Sequence, residues 1–217
     1  MEKELIIQAL KDIRKDQSIR NFKQSVDLII NLQSLDLKKP EHQIEFFVNL
    51  QNGKGRLNKI CALVGPELKD ESLKVFDKTI ESDEFDKYAA DKKAQKKLSE
   101  EFDFFVAQAN IMAKVASAFG RVLGPRGKMP NPKAGCVVPP KAQLKPIYEK
   151  LQKTIRVKAK TSLIIQVPIG SEDMDDNKLL DNYFNIYNTL VNALPLHENN
   201  IKSIFMKLTM GHSYRIL

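Results

Sequence analysis

The densest concentration of chemistry lies between residues 121 and 160. There Arg121, Arg126, Lys128, Lys133, Lys141, Lys145, Lys150, Lys153, Arg156, Lys158 and Lys160 face a single acid, Glu149, for a segment charge of +10. The whole chain carries +8, so the remainder is slightly acidic and the positive field is focused on one region. A focused field of this kind attracts polyanions, nucleic acid first among them and acidic membrane surfaces second. Within it, Leu123-Gly124-Pro125-Arg126-Gly127-Lys128-Met129-Pro130-Asn131-Pro132-Lys133-Ala134-Gly135 is the most distinctive passage. Gly and Pro build a compact loop with backbone N–H groups on display, and Arg and Lys add long donors for phosphate oxygens. The nucleotide-binding pattern G-x-x-x-x-G-K-[ST] fails, because position 122 is Val and Met129 follows Lys128. A nucleotide-phosphate enzyme using Arg126 and Lys128 as electrophilic donors would also need a base, nucleophile or metal cluster, and the sequence offers none.

A second candidate surface lies near the C-terminus. In a strand, Ser203, Phe205, Lys207 and Thr209 share one face, just before Met210-Gly211. Hydroxyls, an aromatic ring and an ammonium on one strand face reach ribose hydroxyls, bases and phosphates of folded RNA. The competing reading puts Phe205 under the first helix. Cys61 and Cys136 are too few and too far apart for a zinc pattern or a disulfide framework, and His42, His197 and His212 are scattered, so no metal and no cofactor is expected.

These residues need elements to position them. Leu5, Ile6, Ala9, Leu10 and Ile13 recur at helical spacing, and strand alternation follows at Val26, Leu28, Ile30 and Leu32 and at Ile44, Phe46, Val48 and Leu50. Ile60 to Val64 and Phe104 to Ala107 are continuous apolar runs, as parallel strands buried on both faces require. Leu73 to Phe76 reads as a further strand and Phe85 to Leu98 as a Lys-rich helix. Alternation returns at Leu163, Ile165 and Val167, and a long amphipathic helix from Asp175 ends before Pro195. A last strand carries Ile204, Met206 and Leu208. The 217 residues thus read as a discontinuous α+β domain from both chain ends, 1–57 and 151–217, interrupted by an inserted Rossmann-like three-layer α/β domain, 58–150. No run approaches a membrane span, and Met1-Glu2-Lys3-Glu4 begins an amphipathic segment rather than a signal peptide, so a cytoplasmic protein without membrane association is expected.

The LGPRGKMPNPKAG passage resembles the signature of the large-subunit ribosomal protein L-one family, in length and spacing most like its archaeal branch. Arg20-Asn21-Phe22-Lys23-Gln24-Ser25, Gln51-Asn52-Gly53-Lys54-Gly55 and Lys207-Leu208-Thr209-Met210-Gly211 resemble further stretches of the same family. The resemblance implies the two-domain architecture just described. It also implies binding to the ribosomal RNA of the mobile stalk beside the tRNA exit site, help in releasing deacylated tRNA, and repression through a stalk-like structure in the protein's own messenger RNA. By the family's motif the RNA contacts fall on Phe22, Ser25, Ser203, Thr209, Met210 and Gly211; Lys23 and Lys158 join them on charge grounds. Gly124, Arg126, Gly127 and Lys128 are expected to form a supporting loop toward stalk RNA or exit-site tRNA, or else to shape the edge of the inserted domain. Bacterial-type members often have a basic residue where Asn21 stands and a His near Gln166, so contacts at those positions are not carried over. The expected partners are therefore RNAs, with the protein a monomer within the ribosome and not an enzyme.

Overall fold

The computed structural model describes residues 2–15 and 20–217. The chain divides into two compact units, 1–56 with 153–217 and the intervening 57–152. The first unit begins with α1 (Glu2–Lys15) and strands β1 (Ser25–Leu32) and β2 (Ile44–Asn49). The chain returns to it as β7 (Thr154–Ala159), β8 (Ile164–Ser171), α7 (Asp176–Ala193), β9 (Ile201–Leu208) and β10 (Ser213–Arg215).

A four-stranded antiparallel sheet with order β10-β9-β1-β8 dominates this unit, and β2 pairs with β7 in a separate antiparallel ladder. Strand β1 alternates perfectly between buried and half-exposed positions. Val26, Leu28 and Ile30 join Ile165, Val167 and Ile169 of β8 and Ile204, Met206 and Leu208 of β9 in one core with Ile6, Leu10 and Ile13 of α1 and Leu179, Tyr183, Ile186 and Leu190 of α7. The helices thus cover one face of the sheet only. Leu5, expected on the apolar stripe of α1, is 49% exposed and sits at its margin. Close packing of α7 on β8 depends on Gly170, where a Cβ would lie 2.3 Å from Leu179 Cδ2. Pro168 interrupts donation from β8, which is tolerated because that strand is at the sheet edge. Arg14 ties the end of α1 to the turn before α7, donating to Asp176 Oδ1 at 2.8 Å and to the carbonyls of Glu172 (3.0 Å) and Met174 (2.6 Å).

The second unit holds β3 (Ile60–Val64), α2 (Lys69–Val75), β4 (Lys78–Glu81), α3 (Phe85–Ala90), α4 (Lys92–Glu101), β5 (Phe104–Gln108), α5 (Met112–Arg126), β6 (Val137–Val138) and α6 (Leu144–Lys153), the last running one residue past its boundary. Its sheet is wholly parallel with order β4-β3-β5-β6, a Rossmann-like arrangement. Every residue of β3 is buried, as the unbroken apolar run demands. Two sequence expectations are corrected. Leu73 to Val75 lie in α2 instead of a strand, and the edge strand follows at Lys78–Glu81. The expected helix over Phe85–Leu98 is broken at Asp91, whose carboxylate accepts from Lys93 N (2.9 Å) and Ala94 N (3.1 Å) and so starts α4 afresh.

The two points at which the chain enters and leaves this unit are stitched together by side chains. Asn58 N–H donates to Gln152 Oε1 at 2.7 Å, Gln152 Nε2 donates to the Asn58 carbonyl at 2.8 Å, and Asn58 Nδ2 donates to the Leu151 carbonyl at 2.7 Å. Asn58 is buried, so its loss leaves backbone groups without partners. Asn58→Ala is expected to destabilise the inserted unit by about 1–3 kcal/mol, read as faster amide hydrogen exchange in 57–152 than in the rest of the chain.

Candidate nucleic-acid interface

Because α1 and α7 cover one face of the four-stranded sheet, the other face is open. Reading across it, Ser203, Phe205 and Lys207 of β9 oppose Asn31, Ile29 and Asp27 of β1. Asn31, Ile29 and Asp27 in turn oppose Ile164, Gln166 and Pro168 of β8, while Ser213 and Arg215 of β10 stand beside Lys207 and Phe205. Phe205 therefore lies on the open face, half-exposed, and does not pack under α1. Asp27, Ile29, Gln166, Val167, Pro168 and Lys207 line a depression of about 300 Å³ at the centre of this face. Burial pushes the Asp27 carboxyl above the usual carboxylate range, and the Lys207 ammonium opposes that shift. Asp27, Ile29 and Pro168 were not singled out from sequence. The period-two pattern of β1 was a signal that they share a face, but only the strand register brings them beside Lys207.

At one end of this face the two chain ends meet. Thr209 N–H donates to the Ser25 carbonyl at 3.1 Å, Ser25 N–H donates to Thr209 Oγ1 at 3.2 Å, and Met210 N–H donates to Gln24 Oε1 at 3.1 Å. Gly211 N–H closes the turn onto the Leu208 carbonyl at 3.0 Å. A Cβ at Gly211 would stand 3.2 Å from Leu208 Cβ, so a branched side chain there would displace the turn. Gln24 is buried and braces the junction, while Phe22 and Met210 stand 51% and 60% exposed. Large apolar side chains left in water beside a fixed polar turn form a surface suited to a base or sugar face. Lys23 is adjacent, its ammonium 2.5 Å from Asp173; the hydrogen bond to that carboxylate raises its pKa.

Two predicted residues stand apart from this cluster. Ser203 occupies the same face but lies six residues along the strand from Thr209, on the order of 20 Å. It is buried to 8% exposure and its hydroxyl accepts from Asn31 Nδ2 at 2.8 Å. Lys158 belongs to the separate ladder, exposed and in register with Glu45. Glu45 is engaged by Arg156 and Lys160. Burial raises its carboxyl, but the hydrogen bonds and charges of Lys160 and Arg156 outweigh that and hold it below the usual range.

The signature passage of the inserted unit has a geometry that the sequence did not disclose. Helix α5 continues through Gly124 and Pro125 to Arg126, and Gly127 terminates it with φ at +65°. Gly127 N–H donates to the Gly124 carbonyl and Lys128 N–H to the Leu123 carbonyl, both at 2.9 Å, the paired bonds of a Schellman cap. The backbone donors expected to face phosphate are thus engaged in ending a helix. Lys128 Nζ donates to the carbonyls of Ser99 (2.8 Å) and Phe102 (2.7 Å) at the end of α4, and burial pushes this ammonium below the usual lysine range. Arg126 pairs with Glu100 at 2.9 Å.

A Rossmann-like sheet binds nucleotides where the strand order reverses, at the C-terminal ends of β3 and β5. Here that crevice is filled by Gln108, 0% exposed, whose Oε1 accepts from Gly65 N–H at 2.9 Å and whose Nε2 donates to Glu67 Oε2 at 3.0 Å. Burial pushes the Cys61 and Cys136 thiols up to about 12 and about 11, so neither supplies a thiolate nucleophile near neutral pH. Among the described residues there is no His, Cys, Asp or Glu group suited to a metal ion, and no helix is long and apolar enough to cross a membrane.

Comparison with known proteins gives the family. The sequence model of the ribosomal protein L1p/L10e family matches residues 13–212. The large ribosomal subunit protein uL1 of Thermococcus kodakarensis is 36% identical over 216 residues, covering 99% of this chain and 98% of that protein. Its counterpart in Methanothermococcus thermolithotrophicus is 39% identical, covering 97% of each chain, and that of Methanobrevibacter smithii is 38% identical, covering 98% of each. With the match running through nearly the whole chain, the protein belongs to the ribosomal protein L1p/L10e family and is a ribosomal protein, not an enzyme.

Proposed function

We propose that this protein is a monomeric constituent of the large ribosomal subunit, in the cytoplasm, that holds the ribosomal RNA of the mobile stalk near the tRNA exit site. The observation that carries the reading is the junction of the two chain ends, where Phe22 and Met210 stand exposed around a turn fixed by Gln24, Ser25, Thr209 and Gly211. The Thr209 hydroxyl, which accepts from Ser25 N–H and donates to the Ser25 carbonyl at 3.3 Å, keeps one lone pair to accept from a ribose 2′-hydroxyl, and the open sheet face continues the surface with Lys207, Phe205 and Arg215. Shape and hydroxyl recognition of this kind suits a folded RNA. The same surface would accept a stalk-like fold in the protein's own messenger RNA, giving translational repression, and movement of a stalk held in this way would assist release of deacylated tRNA from the exit site.

A large-subunit stalk RNA fragment and a length-matched unrelated hairpin, titrated with protein across a salt series, test this reading. A stalk preference that survives high salt is expected; equal binding that collapses with salt would leave only unspecific electrostatic attraction. Phe22→Ala and Met210→Ala should each lose stalk affinity by about 1–3 kcal/mol with the thermal midpoint little changed, whereas Thr209→Ala should lose affinity and also lower the midpoint, because it removes the hydroxyl that accepts from Ser25 N–H. Gly211→Val should lose as much by displacing the turn.

Asp27 supplies a pH test. Its folded-state pKa is raised by burial, so folding favours the protonated form, and stability increases as pH falls through that raised value. Asp27→Asn should remove this pH dependence of the thermal midpoint. At neutral pH it should also bind stalk RNA more tightly than the native chain, the difference closing as pH is lowered into the carboxylate range.

A further inference from the structure

The inserted unit has its own cationic surface, in a different place from the signature passage. Helices α4 and α5, with the end of α3, enclose a groove of about 440 Å³ lined by Ala89, Lys92, Gln95, Lys96, Ser117, Ala118, Arg121 and Val122. Lys92 and Lys96 are one helical turn apart on one wall, and Ser117 and Arg121 are one turn apart on the other. The groove stays open because Ala89, Ser117 and Ala118 are too small to fill it. Its floor is fixed: Gln95 is buried, and its Nε2 donates to the carbonyls of Tyr88 (2.7 Å) and Ala118 (2.9 Å), locking α4 to α3 and α5.

No carboxylate lines the groove. The nearest acids along α4 are already engaged, Asp91 by the helix N-terminus and Glu100 by Arg126. Among the described residues Lys92, Lys96 and Arg121 have no ion-pair partner, in contrast to Arg126, and Lys128 is held by backbone carbonyls. Three uncompensated cations around a preformed, polar-floored groove match a run of phosphates better than a single anion.

We infer that the α4–α5 groove is a second RNA-contact surface, which takes the sugar-phosphate backbone without reading sequence and sets the salt dependence of binding. The choice of RNA over an acidic protein rests on the proposed function above, since the polyanion surrounding a ribosomal protein is RNA.

The test uses the full chain with Lys92, Lys96 and Arg121 all changed to Gln, beside a charge-matched control in which the exposed Lys59, Lys74 and Lys87 of the same unit become Gln. Binding to the stalk fragment and to an unrelated RNA duplex is measured against salt. Each lost phosphate contact removes about 0.7–0.9 from the slope of log K against log salt. The groove variant is expected to lose about 2–3 from that slope on both RNAs while keeping the ratio between them, and the control to lose less than half as much. Ser117→Trp, which fills the groove without changing charge, should weaken binding to both RNAs. Equal slopes in the two triple variants, or an unaffected Ser117→Trp protein, would overturn the proposal. Retained RNA slopes with lost binding to poly-glutamate would assign the groove to an acidic protein partner instead. Absence of stalk preference in the unmodified chain would sink the stalk function alone, because the groove is judged by slope and not by preference.

Discussion

Strand β1 is hydrogen-bonded on both sides by strands from the other end of the chain, β8 on one flank and β9 on the other. Everything else in the first unit depends on that pairing. It brings the N-terminal segment back to the C-terminal one across more than a hundred residues, and the loop so closed can hold a whole second unit because closure entropy grows only slowly with length. It also fixes which residues lie opposite one another. A shift of one residue in β1 would exchange Val26, Leu28 and Ile30 for Asp27, Ile29 and Asn31 on the helix-covered face, exposing apolar surface and burying a carboxylate and an amide.

The open sheet face is a consequence of the same constraint. Two helices suffice to cover one side of a four-stranded sheet, so the other side is left open, with alternating residues that are neither fully apolar nor fully charged. At its end, Ser25 and Thr209 exchange hydrogen bonds because they are the residues just beyond the register of β1 and β9. The turn that exposes Met210 is thus held by the sheet and needs no packing of its own.

The second unit sorts its charges differently. Its parallel sheet is buried on both faces, so functional groups are confined to helix surfaces and strand ends. At the strand ends, Gln108 and the Gly65 turn close the crevice that nucleotide-binding relatives of this architecture leave open. Around α4 and α5, the basic residues of the signature passage and those of the groove differ. Lys128 and Arg126 satisfy helix-end carbonyls and a carboxylate, and Lys92, Lys96 and Arg121 do not. Composition counts both groups equally, although the charges of the second are not engaged by the protein's own carboxylates or helix ends.

The amino-acid sequence by itself determined the parallel and antiparallel halves and the alternation along the last strand. Those follow from local periodicity, which depends on whether each side chain meets water or protein. It also identified the family, through long unusual motifs. It did not determine that Leu73 to Val75 are helical, because a short apolar run suits either state and the packing beside β3 and β4 decides between them. Nor did it show that LGPRGK caps a helix, since the carbonyls that claim Gly127 and Lys128 belong to α5 and α4 as folded. Ser203 and Thr209 share a face by sequence, but the burial of Ser203 against Asn31 comes from pairing across 172 residues. Which cations remain free, and which polar groups stand side by side, is set by contacts between distant segments, and only the tertiary structure decides it.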